Sequence, residues 1–250
     1  YPYTAAGAGL DQTMPLWSHS GGIEQFLDRL KNPKLREKIK KETMEGIDGL
    51  PQRWETIVIS SVKNPKNRDI IGLSIEEIAK KRNLDIGETV MQLTEEEQAV
   101  VSVIFHNRVE EDIQCFMDHR LSMFGSDGNA VSKNGFYKDG KPHPRFYGTF
   151  PRILGRYIRE KRSKLSLEEA IYKMTGFPAW RLGLKQRGEI KKNYIADITI
   201  FNPEKVIDKA TFKNPHQYSE GIEFVLVNGE LVVSEGNHTK KTPGKVLRRS

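Results

Sequence analysis

The side chains that could do chemistry are few and widely spaced. Leu121-Ser122-Met123-Phe124 is an apolar stretch that reads as a strand, and it breaks at Gly125-Ser126-Asp127-Gly128. That order puts the Asp127 carboxylate at a strand's C-terminal edge. A carboxylate there can bind a hard or borderline metal, or take a proton from the metal's water. The same tetrapeptide also reads as a plain turn, since Ser, Asp and Gly all favour turns. A second candidate is Lys141 to Arg152, in which Pro142 and Pro144 flank His143 and Arg145 follows. This reads as a stiff loop able to project a guanidinium, the group suited to bidentate carboxylate recognition. Stacking of Arg145 on Phe146 or Tyr147 as loop packing is the other reading, and His143 by itself reads as structural.

The rest of the reactive inventory closes off other chemistries. His106 follows an apolar strand and could line the same mouth as Asp127, while His19, His119, His216 and His238 lack paired spacing. No H-x-H or H-E-x-x-H occurs, so neighbouring histidines cannot build a metal site by themselves. The single cysteine, Cys115, falls in a predicted helix and reads as a buried thiol; it excludes an intramolecular disulfide framework and a zinc-finger array. There is no G-x-S-x-G, P-loop or dinucleotide fingerprint, which removes the serine-hydrolase, NTPase and Rossmann readings.

Elements must hold these groups. Of 250 residues, 37% are hydrophobic and 29% charged, which excludes a mostly disordered chain. The longest apolar runs are strand-sized, so no membrane span is expected. The formal charge of +7 comes from 40 Lys+Arg against 33 Asp+Glu. The basic residues alternate with acidic ones at helical spacing, as in Glu37 and Lys41, which reads as a solvated helix face. Nucleic-acid binding is not expected. Helices are predicted over Ile23 to Lys31, Pro33 to Met44, Ser74 to Arg82, Ile86 to Glu97, Val109 to His119, Pro151 to Lys164 and Ser166 to Met174. Capping-box pairs stand at Ser74/Glu77 and Ser166/Glu169. Strands are predicted over Trp54 to Ser61 and Val100 to Phe105, and the first residues read as a strand end entering an irregular loop. From Gly188 the texture turns all-β, with strands at Ala196 to Phe201, Gly221 to Val227 and Glu230 to Val233. An Asn228-Gly229 hairpin joins the last two. The class is α/β with an all-β tail.

Taken together, these segments resemble the amidohydrolase superfamily, and within it the D-aminoacylase (N-acyl-D-amino-acid deacylase) family. The stretches that carry the resemblance are Tyr1 to Ala5 with Leu10, Gly72 to Ala79, Glu110 to Ile113, Gly125 to Gly128 and His143 to Arg159. Further along come Leu167 to Ala170, Met174 to Ala179, Arg181 to Leu184, Arg187-Gly188, Ala196-Asp197, Ala210 to Phe212, Val227 to Gly229 and Pro243 to Leu247. The HPR…GTFPR block is the most specific.

The resemblance implies a metal-dependent (β/α)8 barrel with zinc (Zn2+) at the C-terminal ends of its strands, and a small β-sandwich. Residues 1–187 would be the C-terminal part of the barrel, with 20–98 an insertion covering the pocket, and 188–250 a sandwich segment. Leu121 to Phe124 would be the last stave, Val100 to Phe105 the one before it, and Tyr1 to Tyr3 the end of the sixth. Asp127 matches the family's last-strand aspartate, which assists the metal-bound water, protonates the leaving amine and can ligate the metal. Arg145 matches the binder of the substrate α-carboxylate. Tyr3, Ser60 and His143 are expected on the substrate side.

The implied reaction is hydrolysis of the amide of N-acyl-D-amino acids. A cyclic-amide hydrolase of the dihydroorotase or hydantoinase type is the alternative within the superfamily, and a non-catalytic remnant with a basic binding surface the alternative outside it. The family's H-x-H, bridging cysteine and strand-five histidine are absent. With no Met before Tyr1, the expectation is a truncation through the middle of a barrel, leaving a chain that neither binds zinc tightly nor turns over substrate. A cytoplasmic location is compatible with the low cysteine count.

Overall fold

The computed structural model describes residues 1–46 and 49–248. They gather into two compact units: Tyr1–Tyr3, Val109–Lys133 and Pro144–Ser250 form the first, and Thr4–Arg108 with Asn134–His143 the second.

The second unit is a three-stranded sheet with helices. Strands β1 (Ala6–Gly9), β2 (Ile57–Val62) and β3 (Val101–Phe105) lie in the order β1-β3-β2. Helices α1 (Ile23–Lys31), α2 (Pro33–Glu45), α3 (Ile75–Arg82) and α4 (Ile86–Glu96) supply the rest. Three of these four helices start at a side-chain cap that their sequence supplies. The Asn32 side chain accepts from the Lys34 and Leu35 N–H groups just before Pro33, and Ser74 and Glu77 close the expected capping box. The Asp85 side chain accepts from the Glu88 N–H. Caps of this kind contribute about 1 kcal/mol each. Phe26 and Leu30 of α1, Ile75 and Ile78 of α3, and Met91 and Leu93 of α4 meet Ile57, Ile59, Val101 and Val103 of the sheet in one buried cluster.

In the first unit, α5 (Glu110–Asp118), α7 (Leu167–Met174) and α8 (Gly176–Leu182) accompany a longer rod. The rod is α6 (Arg145–Arg152), which runs on as a π-helical stretch over Ile153–Arg159. Pro151 sits at the junction; it has no N–H to give the preceding turn, and a helix interrupted there widens its hydrogen-bond register. Ile113 and Met117 of α5, Ile153 and Tyr157 of the π stretch, and Ala170 of α7 form this unit's buried cluster. A four-stranded antiparallel sheet follows, with β4 (Ile198–Phe201), β5 (Ile222–Val227), β6 (Glu230–Ser234) and β7 (Asn237–His238) in that order. The β5–β6 turn is Asn228-Gly229, both with positive φ (49° and 81°), as the Asn-Gly pair predicts.

Four expectations need correction. Leu121 to Phe124 carries no ladder; Leu121 is 59% exposed and Met123 38%, and a strand exists only where a partner accepts and donates its backbone bonds. Val101–Phe105 is a strand, but β1 and β2 flank it on both sides and both run antiparallel to it. A central strand so occupied has no edge left for the parallel neighbour of a barrel stave. The stretch from Arg145 is helix rather than stiff loop: Pro144, at φ −59°, stands immediately before the first helical residue, and that fixed φ suits a helix start. Cys115 is exposed, not buried.

Tyr157 is fully buried, and burial together with the Glu110 carboxylate pushes its phenol up to about 12. A phenol that ionises at about 10 when unfolded then contributes stability that is intact below pH 10 and lost as pH rises toward 12. Burial pushes Tyr3 up in the same sense. The melting temperature should therefore drop between pH 9.5 and 11.5, and the drop should be shallower in Tyr157→Phe. Equal slopes in the two proteins would contradict this.

Candidate functional site

The rod α6 builds the site, because its residues at spacings of three and four share one face. Arg145, Gly148, Arg152, Gly155 and Arg159 form that row. Opposite it runs the segment Val206 to Asp208. A Cβ on Gly148 would come within 2.8 Å of the Asp208 Cβ, and one on Gly155 within 2.4 Å of the Val206 carbonyl oxygen. Glycine at these two positions is what allows the approach. Between them Arg152 Nη1 donates to Asp208 Oδ2 at 3.0 Å, and Arg152 Nε donates to the Pro2 carbonyl at 2.8 Å. Arg159 Nη1 reaches the Val206 carbonyl at 2.7 Å. The Asp208 side chain is only 5% exposed and that of Arg152 14%. Tyr3 is buried beside them, its hydroxyl 3.5 Å from Asp208 Oδ2 and its ring 4.6 Å from the Arg152 guanidinium.

The same face presents Arg145 to Asp127. Arg145 Nη2 lies 3.2 Å from Asp127 Oδ2, and Arg145 Nε donates to the Asp127 carbonyl at 2.8 Å. The guanidinium also stacks against the Tyr1 ring, 4.6 Å from its centroid, with the Phe146 ring at 5.8 Å. The guanidinium of Arg145 thus meets both a carboxylate, that of Asp127, and aromatic rings. The pair is lopsided: the Arg145 side chain is 10% exposed and that of Asp127 68%. Asp127 holds a left-handed backbone at φ 49°, a conformation Asp tolerates at modest cost. An ion pair with one partner in water is worth about 0–1 kcal/mol, so another carboxylate can replace Asp127 on the guanidinium.

The other candidates have settled environments. Ser60, in the second unit, is the extra residue of a β-bulge between Ile59 and Ser61. It is buried, and its hydroxyl donates to the Lys141 carbonyl at 2.8 Å. His143 is also buried there, with Nε2 3.0 Å from the Ala5 carbonyl oxygen. His106 is half-buried, and burial lowers its imidazole pKa. Three residues were missed in the sequence: Arg152, Asp208 and Lys173. Asp208 gives no signal there. Lys173 gives one, since it stands three residues after buried Ala170, at a core-facing position of α7 where a lysine is out of place.

Similarity to known proteins agrees with this architecture. The amidohydrolase family pattern matches residues 91–233, and the chain belongs to the amidohydrolase family. A D-aminoacylase of Alcaligenes xylosoxydans xylosoxydans is 37% identical over 182 residues, 73% of this chain and 35% of that protein. An N-acyl-D-glutamate deacylase of the same organism is 32% identical over 232 residues, 93% of this chain and 43% of its own. The N-acyl-D-glutamate deacylase of Bordetella bronchiseptica, solved with zinc and a phosphonate mimic of the tetrahedral intermediate, superposes with a TM-score of 0.66 at 27% identity. That match covers 93% of this chain and 38% of the solved one. The chain thus spans well under half the length of these relatives.

Removing one partner of a buried ion pair leaves the other charge uncompensated, at about 3–5 kcal/mol. Asp208→Asn should therefore destabilise the first unit by about that much, read as a lower urea midpoint. The exposed-side substitution Asp127→Asn should shift it by less than about 1 kcal/mol.

Proposed function

We propose that this chain supplies the aspartate and the arginine of a metal-dependent deacylase that hydrolyses N-acyl-D-amino acids to a carboxylate and a free D-amino acid. In this reading residues 1–187 correspond to the C-terminal part of a (β/α)8 barrel, without Val101–Phe105 or Leu121 to Phe124 as its staves, 20–98 is an insertion, and 188–250 contributes strands to a small β-sandwich. The observation that carries it is the contact of Asp127 with Arg145, joined to relatives whose names record this activity.

Each residue has a task that its surroundings suit. Arg145, braced by Tyr1 and Phe146, exchanges Asp127 for the substrate's α-carboxylate and so fixes the D-centre. The released Asp127 carboxylate, facing solvent, takes a proton from the attacking water and delivers it to the departing amine nitrogen. Atoms balance: water adds across the C–N bond, its OH to the acyl carbon and its proton to nitrogen. Tyr3 is buried against the Asp208 carboxylate and so supports the rod that carries Arg145, whereas Ser60 and His143 are buried in the second unit, against the Lys141 and Ala5 carbonyls.

Zinc belongs to the proposal only in part. Asp127 offers one oxygen, but among the described residues no group of three or more His, Cys, Asp or Glu is close enough to hold a metal ion. The donors here do not amount to a zinc site, and the proton transfers proposed for Asp127 involve only this chain's own groups and water. No helix among the described residues is long and apolar enough to cross a membrane. The proposed partner is the small-molecule N-acyl-D-amino acid.

In the native full-length enzyme, Asp127→Asn should lower kcat by about 10²–10⁴-fold with little change in KM. Arg145→Met should raise KM for an N-acetyl-D-amino acid and have little effect on the matching N-acetyl-D-amino acid amide, which lacks the carboxylate. Equal effects on both substrates would remove Arg145 from carboxylate binding. Separately, the 250-residue chain dialysed against zinc should retain well under one equivalent by atomic emission and show no turnover; a tight stoichiometric site would refute the incomplete donor set.

A further inference from the structure

Lys173, on α7, is buried, although lysine is almost never fully buried without a partner anion. Its hydrogen bonds all go to neutral oxygens, while the Asp118 and Glu169 carboxylates act on it from further off and only partly offset its burial. Nζ donates to the Met117 carbonyl at 2.9 Å, the His119 carbonyl at 2.6 Å and the Ser122 hydroxyl at 2.9 Å. Burial accordingly lowers its pKa. These oxygens belong to the end of α5 and the turn after it. Helix α5 carries no basic residue in its own last turn, so Lys173 places a cation at the negative end of a neighbouring helix. The residue grips a second time, through its backbone: the Phe124 N–H donates to the Lys173 carbonyl at 3.1 Å. One residue therefore fixes both ends of the stretch from Met117 to Phe124, which lacks a ladder to hold it. Three residues further on is Asp127, with its left-handed φ of 49°. Asp tolerates that conformation, so the position of its carboxylate follows from the anchored backbone that leads into it.

We infer that Lys173 is a positioning residue for Asp127, holding the segment Met117 to Phe124 so that the carboxylate is presented in its working geometry. This rests on the reading of Asp127 as the proton carrier. A neutral donor could not serve as well, since three acceptors and a helix terminus converge on the one nitrogen. Arg145 is carried by α6, outside the gripped segment, so the loss of Lys173 disturbs the proton carrier more than the carboxylate binder.

The test uses Lys173→Met, which keeps the stem of the side chain to about the Cε position and removes the three donors, in the native full-length enzyme on N-acetyl-D-amino acids. The expected result is a kcat lower by roughly 10²-fold, the scale of a misplaced catalytic group, with KM within about threefold of the native value. Hydrogen exchange should quicken in peptides spanning residues 119–128 and stay unchanged in those spanning Ile57–Val62. Native kcat, or kcat and KM moving together with exchange raised throughout, would overturn the inference. Should Lys173→Met not fold, Ser122→Ala removes a single acceptor and decides the matter: a fall in kcat supports the inference and an unchanged kcat overturns it. Asp127→Asn, run in parallel, separates the two levels. If it is inactive while Lys173→Met is native, the positioning role alone falls; if it is fully active, the functional reading falls and takes this inference with it.

Discussion

The Arg152–Asp208 ion pair is the contact around which the first unit is arranged. Two charges so far from water are costly unless each is answered, and here the answer draws in three parts of the chain. The guanidinium also takes the Pro2 carbonyl and lies over the Tyr3 ring, while the carboxylate faces the Tyr3 hydroxyl. A buried pair is weak as a source of net stability but demanding about geometry. That demand explains the glycines on either side. Any side chain at 148 or 155 would hold the rod away from Val206 to Asp208, and the pair would open to water.

Geometry imposed in one place is then available in another. A helix is stiff over two turns, so the row that fixes Arg152 also fixes where Arg145 emerges. The two arginines, seven residues apart, have opposite temperaments. Arg152 is locked into a matched, enclosed contact. Arg145 is equally enclosed by aromatic rings, but its acid partner reaches out of solvent and is held weakly enough to be exchanged. That contrast is what the proposed role of Arg145 in binding a substrate carboxylate rests on.

How much of this was legible in the sequence depends on whether the cause was local. The caps at Ser74 and Ser166, the Asn228-Gly229 turn and helices α1 to α5 were readable because their signals lie within a few residues. Leu121 to Phe124 was misread because an apolar run tells only that burial is favourable, while a ladder needs a partner supplied from elsewhere. Pro142 and Pro144 suggested a loop because proline breaks helices; at the position before Arg145 it starts one instead. Asp127 and Arg145 stand out through their motifs, and the structure brings the two into contact. Nothing near Asp208 or Lys173 announced that each would be buried against a distant segment, and only the core-facing register of Lys173 hinted at it.

The bulge at Ser60 has a consequence for how this chain can vary. In a strand, side chains alternate between faces, yet Ile59 and Ser60 are adjacent and both buried, because the extra residue resets the alternation. Surface turns absorb insertions and deletions readily. Between Ile57 and Val62 a single residue gained or lost would send every side chain beyond it to the opposite face. Length, elsewhere the most permissive property of a sequence, is here as constrained as the identity of any catalytic group.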